Sequence, residues 1–127
     1  MNYRQQSILY LAYLLVYSDG EYDDSEKLAI DYIRLKEGIS DNDYQAFLIK
    51  ASNLSERVLY DSGVAFIEEC SPSDKLDVFS WLYKLSEADG TVHAKEVRFL
   101  LYSLRKAGID FEDVKAASAL LEGIPPD

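Results

Sequence analysis

The segment at 13–43 recurs at 83–113, and this internal repeat constrains the fold more than any other feature of the chain. Ten positions in the first copy are identical to their counterparts in the second, with no gap in the register. The repeat includes an Asp-Gly step at 19–20 and again at 89–90, and in both copies a glutamate follows six residues after the glycine. A unit that occurs twice in one chain predicts an internal two-fold repeat in the fold.

Each half also carries the same pattern of helix boundaries. Glycines near 20 and 38, and again near 90 and 108, suit helix ends because glycine readily takes the left-handed conformation found there. Ser40 or Asp41, and Asp110, are expected to cap the third helix of each half. Apolar residues at 97, 100, 101 and 104 have the spacing of an amphipathic helix. No segment alternates with period two for long enough to form a strand. The sequence predicts seven helices, at 3–18, 23–37, 41–52, 55–69, 72–88, 93–107 and 111–122.

We therefore expect an all-α fold in which residues 1–127 form a single-domain bundle of about seven helices. The repeat halves cover about 3–52 and 72–122, and the helix at about 55–69 links them. A chain of 127 residues can bury enough surface for such a core without disulfides or metals. In the linking helix, the residues available for the core are Val58, Leu59, Phe66 and Ile67. Most of the ten tyrosines, together with Trp81, are expected to pack at the edge of the core.

The composition is acidic, with a net charge of −10. This charge argues against nucleic acid or anionic lipid as the main partner, since both need a basic surface. We expect protein partners, with basic ones favoured; peripheral membrane contact and the oligomeric state stay open. The apolar run at 8–17 is too short for a transmembrane segment and is expected to form a core helix. We expect a cytoplasmic protein.

The chain contains one cysteine, Cys70, and one histidine, His93. These counts exclude an internal disulfide, a zinc site with several thiolates and a two-histidine metal site. Cys70 is expected to be a small buried apolar residue, and His93 a helix cap or surface residue. No nucleophile motif, phosphate loop or cofactor fingerprint is present, so we expect a non-enzymatic protein with no organic cofactor.

The two acidic turns are the strongest candidates for chemistry. Each resembles the second half of an EF-hand loop, where glycine makes the sharp turn and the last glutamate binds the cation. The first half is absent, because Leu15 and Leu85 stand where the opening aspartate is needed. What is left is a pair of incomplete oxygen-ligand turns for a divalent cation such as calcium, magnesium, manganese or zinc. The candidate ligands are Asp19, Glu26, Asp89 and Glu96, with Glu21, Asp23 and Glu87 as weaker ones.

A second interpretation of the same carboxylates stays open. Asp-x-x-Glu at 23–26 resembles a capping box, and acidic residues are favoured at the positive N-terminal ends of helices. On this interpretation the acidic turns are only helix caps. The protein would then act as a protein–protein interaction adaptor or a co-chaperone-like module.

The paired turns and their helical flanks resemble the tellurite-resistance TerB-like family. The segments that carry this resemblance are 14–22 (LLVYSDGEY) with Glu26, 85–92 (LSEADGTV) with Glu96, 36–39 (KEGI) and 106–109 (KAGI). The resemblance covers about 5–122 and implies an all-α domain. It also implies divalent-metal binding through the acidic turns and a scaffold role in tellurite or other chemical stress. Relatives attached to DnaJ-type co-chaperones support an interaction role.

Overall fold

The fold is described by a computed structural model over residues 1–17, 24–88, 97, 100–101 and 109–121. Within these ranges the chain is helical and has no strand, which confirms the all-α prediction. The structure has six helices in this part of the chain: α1 (Tyr3–Tyr17), α2 (Asp24–Lys36), α3 (Asp41–Ala51), α4 (Glu56–Glu68), α5 (Pro72–Ala88) and α6 (Phe111–Ser118).

The remaining predicted helix, at 93–107, lies mostly outside the described residues. Inside it, Val97, Leu100 and Leu101 are helical and buried, in agreement with the expected apolar face. The count of seven helices and the two-fold repeat therefore stay predictions.

Serine side chains cap three of the described helices at their N-termini. Ser40, Ser55 and Ser71 each accept a hydrogen bond at Oγ from the backbone N–H three residues on, at 3.1, 3.2 and 3.1 Å. Such a bond satisfies one of the N–H groups that a helix start leaves without a partner. After Ser71, Pro72 occupies the first helical position, where its missing N–H has no cost.

Two other predicted boundary residues behave differently from each other. Gly38 follows α2 with a φ of 73°, so this glycine ends the helix in the left-handed conformation as predicted. Asp110 stands at the N-cap of α6, but its side chain makes no capping hydrogen bond. The prediction that Asp110 caps this helix is therefore right in position and wrong in chemistry.

Helix α1 lies at the centre of the fold and packs against α2, α3, α4 and α5. Six consecutive residues of α1, at 8–13, are buried, so the apolar run noted in the sequence is a core helix. Helix α5 carries the second large apolar face and packs against α1, α2 and α6. Its buried apolar residues are Val78, Phe79, Trp81, Leu82 and Leu85, and Ser80 among them is buried as well.

Helix α4 approaches α1 closely at Gly63. A Cβ atom at this position would lie 2.5 Å from Leu11 Cδ2 and 2.9 Å from Leu11 Cγ. These distances are far below the ordinary separation of carbon atoms in contact. A side chain at this position would therefore force Leu11 to shift.

The core predictions for α4 hold with one exception. Leu59 and Ile67 are buried and Phe66 packs against the core from a half-buried position. Val58, in contrast, is 43% exposed, so its placement in the core was wrong. Val58 lies about 100° around the helix from the buried Leu59, on a side of α4 that is exposed.

Candidate functional site: the acidic turns and the Arg4 cluster

Most of the predicted metal ligands lie outside the described residues. This applies to Asp19, Glu21, Asp23, Asp89 and Glu96, and the geometry of the two turns therefore stays a prediction. His93, the predicted cap residue, is also outside the described ranges.

Two of the candidate ligands belong to described helices. Glu26 lies near the start of α2, and Glu87 lies in the last turn of α5 with an exposed side chain. In the described part of the chain, no group of three or more His, Cys, Asp or Glu residues could hold a metal ion.

A described core helix ends directly before each of the two acidic turns. Helix α1 ends at Tyr17, directly before the first acidic turn, and α5 ends at Ala88, directly before the second. The helices α1 and α5 pack against each other. Both acidic turns are thus continuations of two core helices that are in contact.

The most elaborate polar arrangement in the described residues is centred on Arg4. Its Nε and Nη2 atoms donate to Glu37 Oε1 and Oε2 at 2.6 and 2.9 Å, a two-point contact. Its Nη1 atom donates to Asp74 Oδ1 at 3.0 Å and to Asp77 Oδ2 at 2.6 Å. These four residues, which we call the Arg4 cluster, join the start of α1, the residue after α2 and the first turns of α5.

Glu37 is the most buried member of the Arg4 cluster, with a side chain only 9% exposed. Besides Arg4, its Oε2 accepts a hydrogen bond from Trp81 Nε1 at 3.1 Å, and its carbonyl oxygen accepts one from Gln5 Nε2 at 3.0 Å. A carboxylate just beyond a helix C-terminus meets the negative end of the helix dipole. The guanidinium of Arg4 compensates for that unfavourable position.

The hydrogen bonds to Glu37 raise the pKa of Arg4 above its ordinary value, and those to Asp74 and Asp77 act in the same direction, while partial burial opposes them. Arg4 is therefore a permanent cation in the folded protein. Arg4 stabilises the contact between helices, because its N–H groups donate to carboxylates of the same chain.

The Arg4 cluster was not predicted from the sequence, where Arg4 is only a charge before an apolar run. One signal was available: Arg4 and Asp74 stand at equivalent positions of the two repeat halves and carry opposite charges. Because the two positions begin α1 and α5, packing of these helices brings the charges together.

Cys70 is buried, as predicted, and lies between α4 and α1. Its Sγ is 3.7 Å from Ser7 Oγ and donates to the carbonyl oxygen of Phe66 at 3.5 Å. Burial raises the pKa of the Cys70 thiol, with a smaller opposing effect of the Ser7 hydroxyl. A buried thiol that is held in its neutral form is a poor nucleophile.

The fold and these side chains define an acidic all-α domain built around a buried central helix. The sequence matches the family described as Tellurite resistance protein TerB over residues 5–119, which is nearly the whole chain. The chain therefore belongs to the TerB family. No curated protein and no solved structure matches it significantly. Among the described helices, none is long and apolar enough to cross a membrane.

Proposed function

We propose that this TerB domain is a non-enzymatic scaffold that binds a divalent cation through its two acidic turns. The ligands in this proposal are Asp19, Glu26, Asp89 and Glu96, with Glu21, Asp23 and Glu87 as additional donors. The observation that carries the proposal is the contact between α1 and α5, because each of these core helices leads directly into one of the turns.

The donor set fits a hard cation. All proposed ligands are carboxylates, and carboxylate oxygens suit calcium, magnesium and manganese better than they suit zinc, which favours nitrogen and sulfur. A bound cation would add positive charge where the sequence concentrates negative charge, with five carboxylates at 19–26 and two at 89–96. It would thereby favour a defined arrangement of the two turns over mutual repulsion.

A role in the response to tellurite or other chemical stress is part of this proposal and is supported by family membership. We place the protein in the cytoplasm, because its free thiol suits a reducing compartment. The main alternative is an adaptor whose acidic turns only cap helices. At the described helix starts, serine hydroxyls make the capping bonds and Asp110 makes none, but carboxylates do occupy the first turns of α3, α4, α5 and α6, as this alternative expects.

The test is calorimetric titration of chelator-treated protein with calcium, magnesium, manganese and zinc in turn. We expect saturable binding of at least one hard cation, and its loss in the variant Asp19→Asn/Asp89→Asn. The matched control is Asp43→Asn/Asp61→Asn, which changes the net charge equally at two exposed positions far from the turns in sequence. This control should bind like the wild type.

Two results would contradict the proposal. Absence of saturable binding would favour the adaptor in which the carboxylates are caps. Equal weakening in both double variants would mean that cations are attracted only by the total charge of −10.

A further inference from the structure

We propose that the surface around Tyr3 binds a basic segment of another protein, with a lysine or arginine side chain over the Tyr3 ring. This surface consists of Tyr3, Phe66 and Glu69, with Glu68 beside it at the end of α4, and we call it the Tyr3 surface. The inference does not depend on cation binding at the acidic turns, which are formed by other residues.

The aromatic part of the Tyr3 surface is exposed and firmly supported. Tyr3 is 51% exposed, and its ring centroid lies 6.4 Å from that of Phe66. Phe66 continues inward to Tyr10 at 5.2 Å, and Tyr10 to Phe47 at 5.1 Å. The exposed ring is thus the outer end of a packed aromatic row. A ring supported in this way loses little conformational freedom when a ligand binds.

The charged part of the Tyr3 surface comes from the C-terminal end of α4. Glu68 and Glu69 are exposed, and the last turn of this helix contains no basic residue. Neither carboxylate has an ion pair or a side-chain hydrogen bond within the described part of the chain. Glu69 follows Phe66 by three residues and so lies beside it on the helix surface. The negative end of the helix dipole adds to their potential.

The Arg4 cluster begins at the residue that follows Tyr3 in α1 and contains further carboxylates. Arg4 follows Tyr3 directly in α1, but its guanidinium is already engaged by three carboxylates. Two of these, Asp74 and Asp77, are 40% and 36% exposed and face solvent with negative charge that a single guanidinium does not neutralise. Lys75 is the other basic residue nearby in sequence. Carboxylates therefore outnumber basic side chains in the Arg4 cluster, even with Lys75 included, and at the end of α4.

This combination selects one kind of occupant. An exposed tyrosine face attracts a guanidinium or an ammonium group through the cation–π interaction, and the carboxylates beside it attract further cations. A nucleic acid or an anionic lipid surface would be repelled by the same carboxylates. A second copy of a chain with a net charge of −10 would be repelled as well. A lysine- or arginine-rich protein segment satisfies both features.

The test measures fluorescence anisotropy of a labelled peptide of repeated Lys-Leu-Arg units, with chelator present so that no divalent cation takes part. A peptide of repeated Glu-Leu-Gln units is the charge control. We expect saturable binding of the basic peptide only, weakened by added salt. Tyr3→Ala should weaken it about tenfold, and Tyr3→Phe should leave it nearly unchanged, because the aromatic face is retained.

A second pair of variants separates local from diffuse electrostatic attraction. We expect Glu68→Gln/Glu69→Gln to weaken binding about tenfold, and Glu56→Gln/Glu112→Gln, an equal charge change at exposed positions elsewhere, by less than about twofold. Circular dichroism checks that each variant is folded, and Tyr3→Leu replaces Tyr3→Ala if the latter is not.

The inference is overturned by equal weakening in the two glutamine pairs, by unchanged binding in the Tyr3→Leu or Tyr3→Ala variant, or by absence of saturable binding. Each of these results leaves the cation proposal for the acidic turns untouched, since the peptide assay contains no divalent cation.

Discussion

Replacement of Gly63 by alanine tests whether the close approach of α1 and α4 at this position contributes to the stability of the fold. At an open helical position, glycine to alanine stabilises a protein by about 1 kcal/mol, because alanine has the higher helix propensity. At Gly63 the added methyl carbon would lie 2.5 Å from Leu11 Cδ2. The substitution therefore sets helix propensity against a steric overlap.

The overlap is expected to outweigh the gain in propensity. Rotation about χ2 of Leu11 moves Cδ2 but not Cγ, and Cγ would be 2.9 Å from the new methyl carbon. Leu11 is fully buried at 0% exposure, so any larger shift displaces its neighbours. Insertion of one methyl group into a packed core costs about 1–3 kcal/mol. Since the separation is so short, we take the upper half of that range, about 2–3 kcal/mol, as the cost of the overlap. After the gain of about 1 kcal/mol in helix propensity is subtracted, we expect Gly63→Ala to lower the free energy of unfolding by about 1–2 kcal/mol.

Urea denaturation followed by circular dichroism and by the fluorescence of buried Trp81 measures this difference. Ala65→Gly, at an exposed position of the same helix, is the control and should cost about 1 kcal/mol through helix propensity alone. In a double-mutant cycle, Leu11→Ala removes the overlapping side chain. The double variant Gly63→Ala/Leu11→Ala should then be more stable than the sum of the single effects by about 1 kcal/mol or more.

The reasoning is refuted if Gly63→Ala is more stable than the wild type by the amount expected for an open helical site. It is also refuted if the cycle with Leu11 is additive within about 0.3–0.5 kcal/mol, since two residues in steric conflict must be coupled.

Three further predictions concern side chains of the described residues. Arg4→Met should lower the free energy of unfolding by about 2 kcal/mol, which is less than for a fully buried ion pair because the Arg4 side chain is 26% exposed. The double variant Arg4→Met/Glu37→Gln should recover part of this loss, and equal stability of the single and double variants in urea would count against the cluster. Because burial raises the pKa of Cys70, the folded state favours the neutral thiol, and the free energy of unfolding should decline as the pH rises above the ordinary thiol pKa of 9.0. Cys70→Ala should flatten that decline, and an unchanged dependence of the free energy of unfolding on pH would contradict this. Ser55→Ala removes the capping bond to the Val58 N–H and should cost about 1 kcal/mol by thermal denaturation, whereas Ser55→Asn should cost almost nothing.

Helix positions were predictable because their signals are local. A serine that caps a helix, such as Ser40 or Ser55, bonds to a backbone N–H only three residues away, so the sequence contains both partners in one short window. The left-handed Gly38 belongs to the same category, since the backbone conformation depends mainly on the residue itself. The exposure of Val58 was missed because this residue was assigned to the core from its apolar character and apolar neighbours, which do not specify the direction in which its side chain points.

The candidate site was predictable only in part. The recurrence of Asp-Gly and glutamate in both halves of the chain identified the acidic turns and the family, and the match over 5–119 confirms the family. Cation binding by those carboxylates stays a proposal, and it depends on the distance between the two turns. That is a distance between segments in opposite halves of the chain, and no local pattern specifies it.

For this protein, the sequence by itself determined the helical class, most helix ends and the family, because hydrophobic periodicity, caps and repeated motifs act over a few residues. The tertiary structure alone decided that Arg4 joins α1, Glu37 and α5, that a side chain at position 63 would overlap Leu11, and that Tyr3 rather than Tyr10 reaches the surface. Each of these depends on which helices pack together and how closely. Packing brings together residues that are far apart in the sequence. A tyrosine or an arginine is therefore buried, paired or exposed depending on which residues of other helices lie next to it.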